Sequence, residues 1–276
     1  MHARPNPRQN GASPTLRGVI PLSDGRVSTR PAVVTMALIA LCVVVYLLIQ
    51  PTPMRETSAD VTFDYDHAAI PYELTHGRPL TNCQVSQVAA QASAPRVCSL
   101  PEGQAPFAPG KPVYLAVLFS IFLHGSIWHI AGNMLFLWVF GRRVEDRLGP
   151  VGFAVFFLAA GIVAAIAQVM ADPNSTVPFI GASGAIAGVM GAYLVWFPRA
   201  QINTLFFVFI IFWFRIPAWI VLVAWFVLQF FTSPNSGIAW IAHVGGFVFG
   251  AGVAWLLRPR RPARPQPAPW PPPSLR

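Results

Sequence analysis

The chain has 276 residues, of which 54% are hydrophobic and 11% are charged. A soluble domain carries about 25% charged residues, so this composition excludes an ordinary soluble fold and favours a membrane protein. The formal net charge of +9 would suit a nucleic-acid-binding protein. However, the arginines lie in tails and short loops beside apolar runs, which is typical of topology signals, and the sequence predicts no nucleic-acid partner.

Six apolar segments predict six membrane-spanning helices, because long apolar runs with few charges are the signature of helices that cross a bilayer. In chain order, the predicted spans are about 32–50, 127–140, 151–170, 180–197, 216–231 and 238–257. Two further apolar stretches, 114–123 and 203–214, are expected to lie at the membrane interface. The predicted fold class is therefore an all-α membrane protein, a bundle of six transmembrane helices.

The segments outside the spans define the domain organisation and the topology. Residues 1–31 and 258–276 are basic and rich in proline, so they predict disordered tails on either side of a helical domain that covers 32–257. An even number of spans places both tails on one side, together with most of the arginines, and the positive-inside rule makes that side cytosolic. Residues 51–113 then form a long extracytoplasmic loop between helices 1 and 2.

The three cysteines leave two alternatives open. Cys42 lies inside the first span, whereas Cys83 and Cys98 lie in the long loop. In an extracytoplasmic loop these two residues could form a disulfide, which for a loop of about 15 residues is worth ~3 kcal/mol, or they could remain free thiols. The chain lacks the Cys-x-x-Cys and Cys/His spacings that are typical of zinc sites, so the sequence predicts no metal and no cofactor.

Polar residues inside the spans indicate where the function lies, because polar groups in a bilayer are costly. His129 and Asn133 lie in the second span, Ser183 in the fourth and His243 in the sixth. These three spans run in the same direction, and each polar residue lies near the start of its span. The sequence therefore predicts that all four side chains reach one depth near the extracytoplasmic face.

Small residues predict that spans four and six pack closely. Gly184 and Gly188 are four residues apart in span four, and Gly246 and Gly250 are four residues apart in span six. Such pairs let two transmembrane helices approach backbone to backbone. This approach is expected to bring Ser183 within hydrogen-bonding distance of the histidine in span six.

A serine beside a histidine can act as a nucleophile with a general base. No acidic residue lies in the spans to orient the imidazole, so the pattern predicts a Ser183–His243 dyad rather than a triad. His129 and Asn133 are four residues apart on one helix face, and both can donate hydrogen bonds to a developing oxyanion. The four residues together predict a hydrolytic active site.

Each of these residues has an alternative interpretation. A serine in a glycine-rich span often serves only helix packing, and a histidine near a span end can be an interfacial polar group. His129 and Asn133 could form a packing contact, and histidines can bind metal, although the spans that carry these histidines contain no carboxylate or cysteine ligand. A transporter is a further alternative, but the spans contain no acidic residue to couple an ion and no evident inverted repeat.

Three motifs occur in order, each in its own span: FLHGSIWHIAGN at 122–133, GASG at 181–184, and AHVGG at 242–246 followed by Gly250. With these motifs the sequence resembles the rhomboid family of intramembrane serine proteases, in its bacterial form, from about residue 19 to 257. The resemblance implies a serine endopeptidase that cleaves transmembrane segments of membrane proteins through an acyl-enzyme. It also implies an integral protein of the bacterial inner (plasma) membrane, whose partners are its substrates and the lipid bilayer.

Carried over to the matching positions, the resemblance implies a role for each residue. Ser183 would be the nucleophile and His243 the general base. The side chains of His129 and Asn133, with the backbone N–H of Ser183, would form the oxyanion hole. The other matched residues would support the site structurally: His124, Gly181, Gly184, Gly188, Gly246 and Gly250.

One position departs from the pattern of some relatives. They carry an aromatic residue, packed on the catalytic histidine, where this chain has Ala187, so Met190 or Phe247 is expected to orient the histidine instead. A catalytically inactive relative that binds membrane proteins is the main alternative from another functional class. Such relatives typically lack the serine or the histidine, and this chain has both.

Overall fold

The computed structural model describes residues 31–51, 58–89, 98, 101–207, 211–232 and 239–258. The two predicted tails lie outside the described residues, apart from Pro31 and Arg258 at their inner ends. Parts of the long loop and of the turn before the last helix lie outside them as well.

Helices make up most of the described structure. They are α1 (Val33–Val44), α2 (Ser58–His67), α3 (Pro71–His76), α4 (Asn82–Ala89), α5 (Ala116–Ser120), α6 (Ile127–Phe136), α7 (Arg142–Leu148), α8 (Pro150–Ala171), α9 (Ser183–Trp196), α10 (Ala218–Gln229) and α11 (Trp240–Leu256). Single π-helical turns, Val45–Ile49 and Leu137–Gly141, extend α1 and join α6 to α7. A 3₁₀ turn covers Pro101–Gln104. The six predicted spans coincide with α1, α6, α8, α9, α10 and α11.

The outer surface of the bundle is apolar. By length and composition, α8 is the described helix that could cross a membrane by itself, with 22 residues and a mean hydropathy of 2.4. Four shorter apolar helices accompany it: Val33–Ile49, α9, α10 and α11. Leu48, Val151 and Phe231 on the outer faces are each 78% exposed, which suits contact with lipid rather than with water.

The connection between α9 and α10 corrects the all-α prediction. Gln201–Phe207 (β1) and Ile211–Pro217 (β2) form an antiparallel pair in which Gln201 lies opposite Pro217. The sequence analysis expected an interfacial apolar stretch here, and a short apolar run does not by itself distinguish a strand from a helix. The β-branched and aromatic residues of this segment favour the strand. Helix α10 then begins at Ala218, two residues later than the predicted fifth span.

Helix α9 forms the centre of the bundle, between α8 and α11. All of its residues from Gly184 to Tyr193 are buried. On one side, a Cβ at Gly188 would lie 2.5 Å from the Cβ of Ala160 in α8. On the other side, a Cβ at Gly250 of α11 would overlap the carbonyl oxygen of Gly188. Both neighbours therefore touch the α9 backbone directly; the small-residue pattern predicts the contact with α11, and the contact with α8 is an addition from the structure.

A buried carboxylate attaches α1 to α7 at the end of the bundle where α9 finishes. Glu145 accepts hydrogen bonds from the backbone N–H of Val34 and from the N–H and hydroxyl of Thr35, at 2.7–2.8 Å. These N–H groups belong to the start of α1, where they have no intrahelical acceptor and where the positive end of the helix dipole attracts a carboxylate. Glu145 therefore satisfies the free N–H groups in the first turn of a helix distant in sequence.

The long loop contains a buried ion pair of its own. Lys111 Nζ lies 2.7 Å from Glu73 Oε2 and donates a hydrogen bond to the carbonyl oxygen of Tyr65 at 2.7 Å. Burial lowers the pKa of Lys111, and the hydrogen bond and charge of Glu73 oppose that effect. Burial and the Glu73 charge together raise the pKa of Tyr65 to about 12. The pair connects α3 to the segment that leads into α5, so this part of the loop is folded around a polar centre.

Cys83 and Cys98 form a disulfide in the structure. The bond joins α4 to the residues just before the 3₁₀ turn. Of the two alternatives that the sequence leaves open, the structure therefore contains the disulfide. Cys42 is a free thiol, buried in α1.

Candidate active site

The packing of α9 on α11 brings Ser183 and His243 together. Ser183 is the first residue of α9, and His243 lies in the first turn of α11. The serine Oγ and the histidine Nε2 are 2.7 Å apart, which is a short hydrogen bond. Gly246 permits this approach, because a Cβ at that position would overlap the carbonyl oxygen of Gly184. The two side chains are therefore placed to exchange a proton.

Gln229, the last residue of α10, binds the other nitrogen of the same imidazole. Its Oε1 lies 2.7 Å from His243 Nδ1, and its Nε2 donates to the carbonyl oxygen of Trp225 at 3.1 Å. A carbonyl oxygen can only accept, so the NH₂ group of the amide faces Trp225 and the amide oxygen faces the imidazole. Gln229 is itself buried.

These contacts correct the expectation that Met190 or Phe247 orients the histidine. The ring centroid of Trp225 lies 5.7 Å from that of His243, and Phe247 packs on the Trp225 ring at 6.2 Å. Together with the hydrogen bond that Gln229 Oε1 accepts from the imidazole, this contact means that α10 orients the imidazole. The sequence analysis did not identify Gln229 or Trp225 of α10 as partners of the histidine.

His129 and Asn133 lie against Gly181, two residues before the serine. The φ of +120° at Gly181 favours glycine, and a Cβ there would lie 2.7 Å from Nε2 of His129 and 3.6 Å from Nδ2 of Asn133. Backbone conformation and lack of space thus both require a glycine two residues before Ser183. The imidazole of His129 and the amide of Asn133 therefore line the backbone that leads into the nucleophile.

Two hydrogen-bond donors near Gly181 lack an acceptor in the described part of the chain. Asn133 Nδ2 is buried and makes no hydrogen bond within the part of the chain that the structure describes. As the first residue of α9, Ser183 has a backbone N–H that no carbonyl of its own helix can accept. A buried donor without a partner is costly, so its retention points to a role in the site. A developing oxyanion would satisfy both donors at the positive end of the α9 dipole.

Two polar residues contact His129, one at its backbone and one at its ring. Ser126 caps α6, because its Oγ accepts a hydrogen bond from the backbone N–H of His129 at 3.2 Å. His124 is buried, and its ring packs edge-on against that of His129 at 5.2 Å. Gln50 holds the His124 backbone through a pair of hydrogen bonds, from His124 N–H to Gln50 Oε1 and from Gln50 Nε2 to His124 O, both 3.0 Å long.

Hydrogen bonds connect the long loop to the segment that precedes the nucleophile. The backbone N–H of Gly181 donates to the carbonyl oxygen of Ser120 at 2.8 Å. The hydroxyl oxygen of the same serine accepts from the backbone N–H of Ala69 at 2.6 Å, and the Ala69 carbonyl accepts from Phe179 N–H at 3.0 Å. Ser120 thus links the loop to the backbone N–H of Gly181.

Several of these supporting residues are absent from the sequence-based prediction, among them Gln50, Ser120 and Gln229. Gln229 carried a usable signal, because a polar residue in an apolar run points to function by the same argument as Ser183. Gln50 lies at the end of the first span and Ser120 in the interfacial stretch, where polar side chains are ordinary and give no signal.

Comparison with known proteins finds relatives of one kind. A family model described as Rhomboid domain matches residues 112–260, more than half of the chain. The chain is 30% identical to Rhomboid protein 1, mitochondrial, of Saccharomyces cerevisiae, over 52% of this chain and 42% of that protein. It is 45% identical to Rhomboid protease GluP of Bacillus subtilis, over 28% and 15%. It is 31% identical to RHOMBOID-like protein 12, mitochondrial, of Arabidopsis thaliana, over 50% and 45%.

The chain spans less than half the length of each of these three relatives. The matched family range includes Ser183, His243, His129 and Asn133. The prediction of a bacterial inner (plasma) membrane is wrong on these comparisons. Two of the three relatives are named mitochondrial, and this finding contradicts the predicted bacterial location.

Proposed function

The chain belongs to the rhomboid family, whose members are typically intramembrane serine proteases, and on that premise we propose that it is a serine endopeptidase that cuts membrane proteins within the bilayer. The 2.7 Å hydrogen bond between Ser183 Oγ and His243 Nε2 carries this proposal. A serine hydroxyl is a weak nucleophile until an adjacent base takes its proton, and this contact supplies the base.

The proposed reaction follows the usual course of acyl transfer. Ser183 Oγ attacks the carbonyl carbon of the scissile peptide bond while its proton passes to His243 Nε2. The negative charge that develops on the carbonyl oxygen is stabilised by the Asn133 amide, the His129 imidazole and the Ser183 N–H. The C–N bond then breaks, and the amine leaves with the proton from His243. Water activated by the same imidazole hydrolyses the acyl-enzyme and restores the serine.

In this proposal α1, α6 with its π-helical turn Leu137–Gly141, α8, α9, α10 and α11 cross the bilayer, and the nucleophile lies below the membrane surface. The 14 residues of α9 rise about 21 Å, whereas the hydrocarbon core is roughly 30 Å thick. Arg143 stacks on Phe197 and Arg147 stacks on Trp196, each within 5 Å, and basic and aromatic residues of this kind mark a membrane interface. If that end of α9 lies at the interface, Ser183 lies about 9 Å inside the opposite one.

The depth of the serine determines what kind of substrate it can cut. A transmembrane helix satisfies its backbone hydrogen bonds internally, so it must unwind locally before its carbonyl carbon can be attacked. We therefore expect substrates with weak helix formers such as glycine near the membrane face that bears the long loop. We also expect small side chains at the cleaved bond.

A designed reporter tests the proposed function. It is a single-span peptide in liposomes with a fluorophore and a quencher on either side of a Gly–Ala bond, placed about 9 Å below the surface. A matched reporter carries Leu–Leu at the same position. We expect the wild-type protein to cut the Gly–Ala reporter at least tenfold faster than the Leu–Leu reporter, and Ser183→Ala to cut neither. Binding of the reporter without cleavage by a folded wild-type protein would contradict the proposal and favour an inactive relative.

Replacement of Asn133 by leucine should lower activity without lowering stability. The change removes one oxyanion donor, which is worth about 3 kcal/mol in the transition state, so kcat on the Gly–Ala reporter should fall about 100-fold. It also removes a buried donor that has no partner among the described residues, so the melting temperature should stay the same or rise. Steady-state kinetics and thermal unfolding of the same preparations measure both quantities. A stable variant with wild-type kcat would exclude Asn133 from the oxyanion hole.

A further inference from the structure

A buried amide on α10 completes the hydrogen bonds of the catalytic imidazole. Gln229 is 8% exposed and ends a helix whose other residues are all apolar. We propose that Gln229 is the positioning residue of the Ser183–His243 pair, and that it holds the imidazole in the tautomer that can accept the serine proton. This inference rests on the proposed function above.

The tautomer follows from what each atom can donate. The amide oxygen of Gln229 only accepts, so in neutral His243 the proton lies on Nδ1 and Nε2 is unprotonated. The unprotonated Nε2 is the atom 2.7 Å from Ser183 Oγ, and it can accept the hydroxyl proton. In the other tautomer, Nε2 of His243 would carry the proton and could not accept one from Ser183 Oγ. The choice between the two tautomers therefore determines whether Ser183 can be activated.

A neutral amide here replaces the carboxylate of a Ser-His-Asp triad. Among the described residues, the side chains that hydrogen-bond to the His243 ring are Gln229 and Ser183, and neither is a carboxylate. An ionised carboxylate buried in an apolar helix bundle would be far more costly than an amide with both of its ends hydrogen-bonded. Gln229 thus orients the imidazole without placing a full charge in the membrane.

The remainder of α10 supports the same role. The Trp225 carbonyl fixes which way the amide points, and the Trp225 ring packs beside the imidazole at 5.7 Å. Ala187, one turn after the nucleophile, ends at its Cβ and offers no ring for the imidazole to pack on. In this chain both the packing surface and the hydrogen-bond acceptor for the histidine therefore come from α10.

Substitutions at Gln229 separate positioning from general damage. Gln229→Leu removes the acceptor, and we expect kcat on the Gly–Ala reporter to fall about 100-fold with KM changed less than threefold. Gln229→Glu restores an acceptor of the same length and should recover most of the lost kcat, while its buried carboxylate should lower the melting temperature. Leu228→Met, at an exposed neighbouring position, is the matched control and should retain wild-type kinetics. A Gln229→Leu variant within twofold of the wild-type kcat would overturn the proposal.

The tautomer itself can be observed without any activity assay. ¹⁵N NMR of histidine-labelled wild-type protein in detergent distinguishes protonated from unprotonated ring nitrogens, and the His243 signals are those missing from His243→Asn. We expect Nδ1–H with unprotonated Nε2 in the wild type, and a mixture of both tautomers in Gln229→Leu. Wild-type His243 protonated on Nε2 would overturn the proposal. This readout needs no substrate. Failure of the proteolysis assay would therefore contradict the proposed function, whereas the NMR result alone would decide the role of Gln229.

Discussion

Replacing Ser183 and His243 together by alanine should slow cleavage of the Gly–Ala reporter no more than replacing either residue alone. Each single change should lower kcat by about 10⁴-fold or more, because neither side chain can activate the reaction without the other. Residues that act as one unit give strongly non-additive losses. The 2.7 Å contact between their side chains is the structural reason to expect such a unit.

Steady-state rates of the two single variants and the double variant measure this coupling. His76→Ala is the matched histidine control, because His76 is exposed on α3 in the long loop, and it should retain the wild-type rate. Losses that multiply in the double variant would mean that the two residues act independently. This result would contradict a shared proton transfer.

Substituting Gly250 by alanine should destabilise the bundle, whereas the same change at Gly252, two residues later in α11, should not. A Cβ at Gly250 would overlap the Gly188 carbonyl oxygen, so α9 and α11 must separate, at a cost of about 1–3 kcal/mol. A Cβ at Gly252 would meet no atom within 4 Å. There the change should stabilise the helix by about 0.5–1 kcal/mol, because alanine loses less backbone entropy than glycine.

The free thiol in α1 reports this difference. Cys42 is completely buried, so a maleimide reaches it only when the bundle opens. We expect Gly250→Ala to be labelled at a lower temperature than the wild type and Gly252→Ala at the same or a higher temperature. Because His243 lies on the same helix as Gly250, kcat should fall in the first variant only. Equal labelling curves for the two variants would contradict direct backbone contact between α9 and α11.

The sequence predicted the site residues whose polar side chains are costly to place inside a membrane. Ser183, His243, His129 and Asn133 are polar residues in apolar runs, and the glycines beside them indicated which helices meet. Both signals are local, so they can be read without coordinates. The structure places these four residues at two contacts, one between the serine and the imidazole and one around Gly181.

The features that the sequence did not predict depend on geometry between distant segments. The strand pair at 201–217 is as apolar as the helices beside it, so hydropathy did not distinguish it. Gln229 was visible as a polar residue, but only the docking of α10 reveals that it faces Nδ1 of His243. Ser120 acts through its backbone carbonyl and its hydroxyl at once, and no residue pattern encodes that combination.

The most direct measurement is the site of covalent labelling by a fluorophosphonate, which reacts with activated serines only. The purified protein would be treated in detergent and the adduct located by mass spectrometry, beside His243→Ala and the control Gly252→Ala. An adduct on Ser183 in the wild type and the control, absent from His243→Ala, is the predicted result. A folded wild-type protein that carries no adduct, or carries it on another serine, would contradict the assignment of Ser183 as the nucleophile.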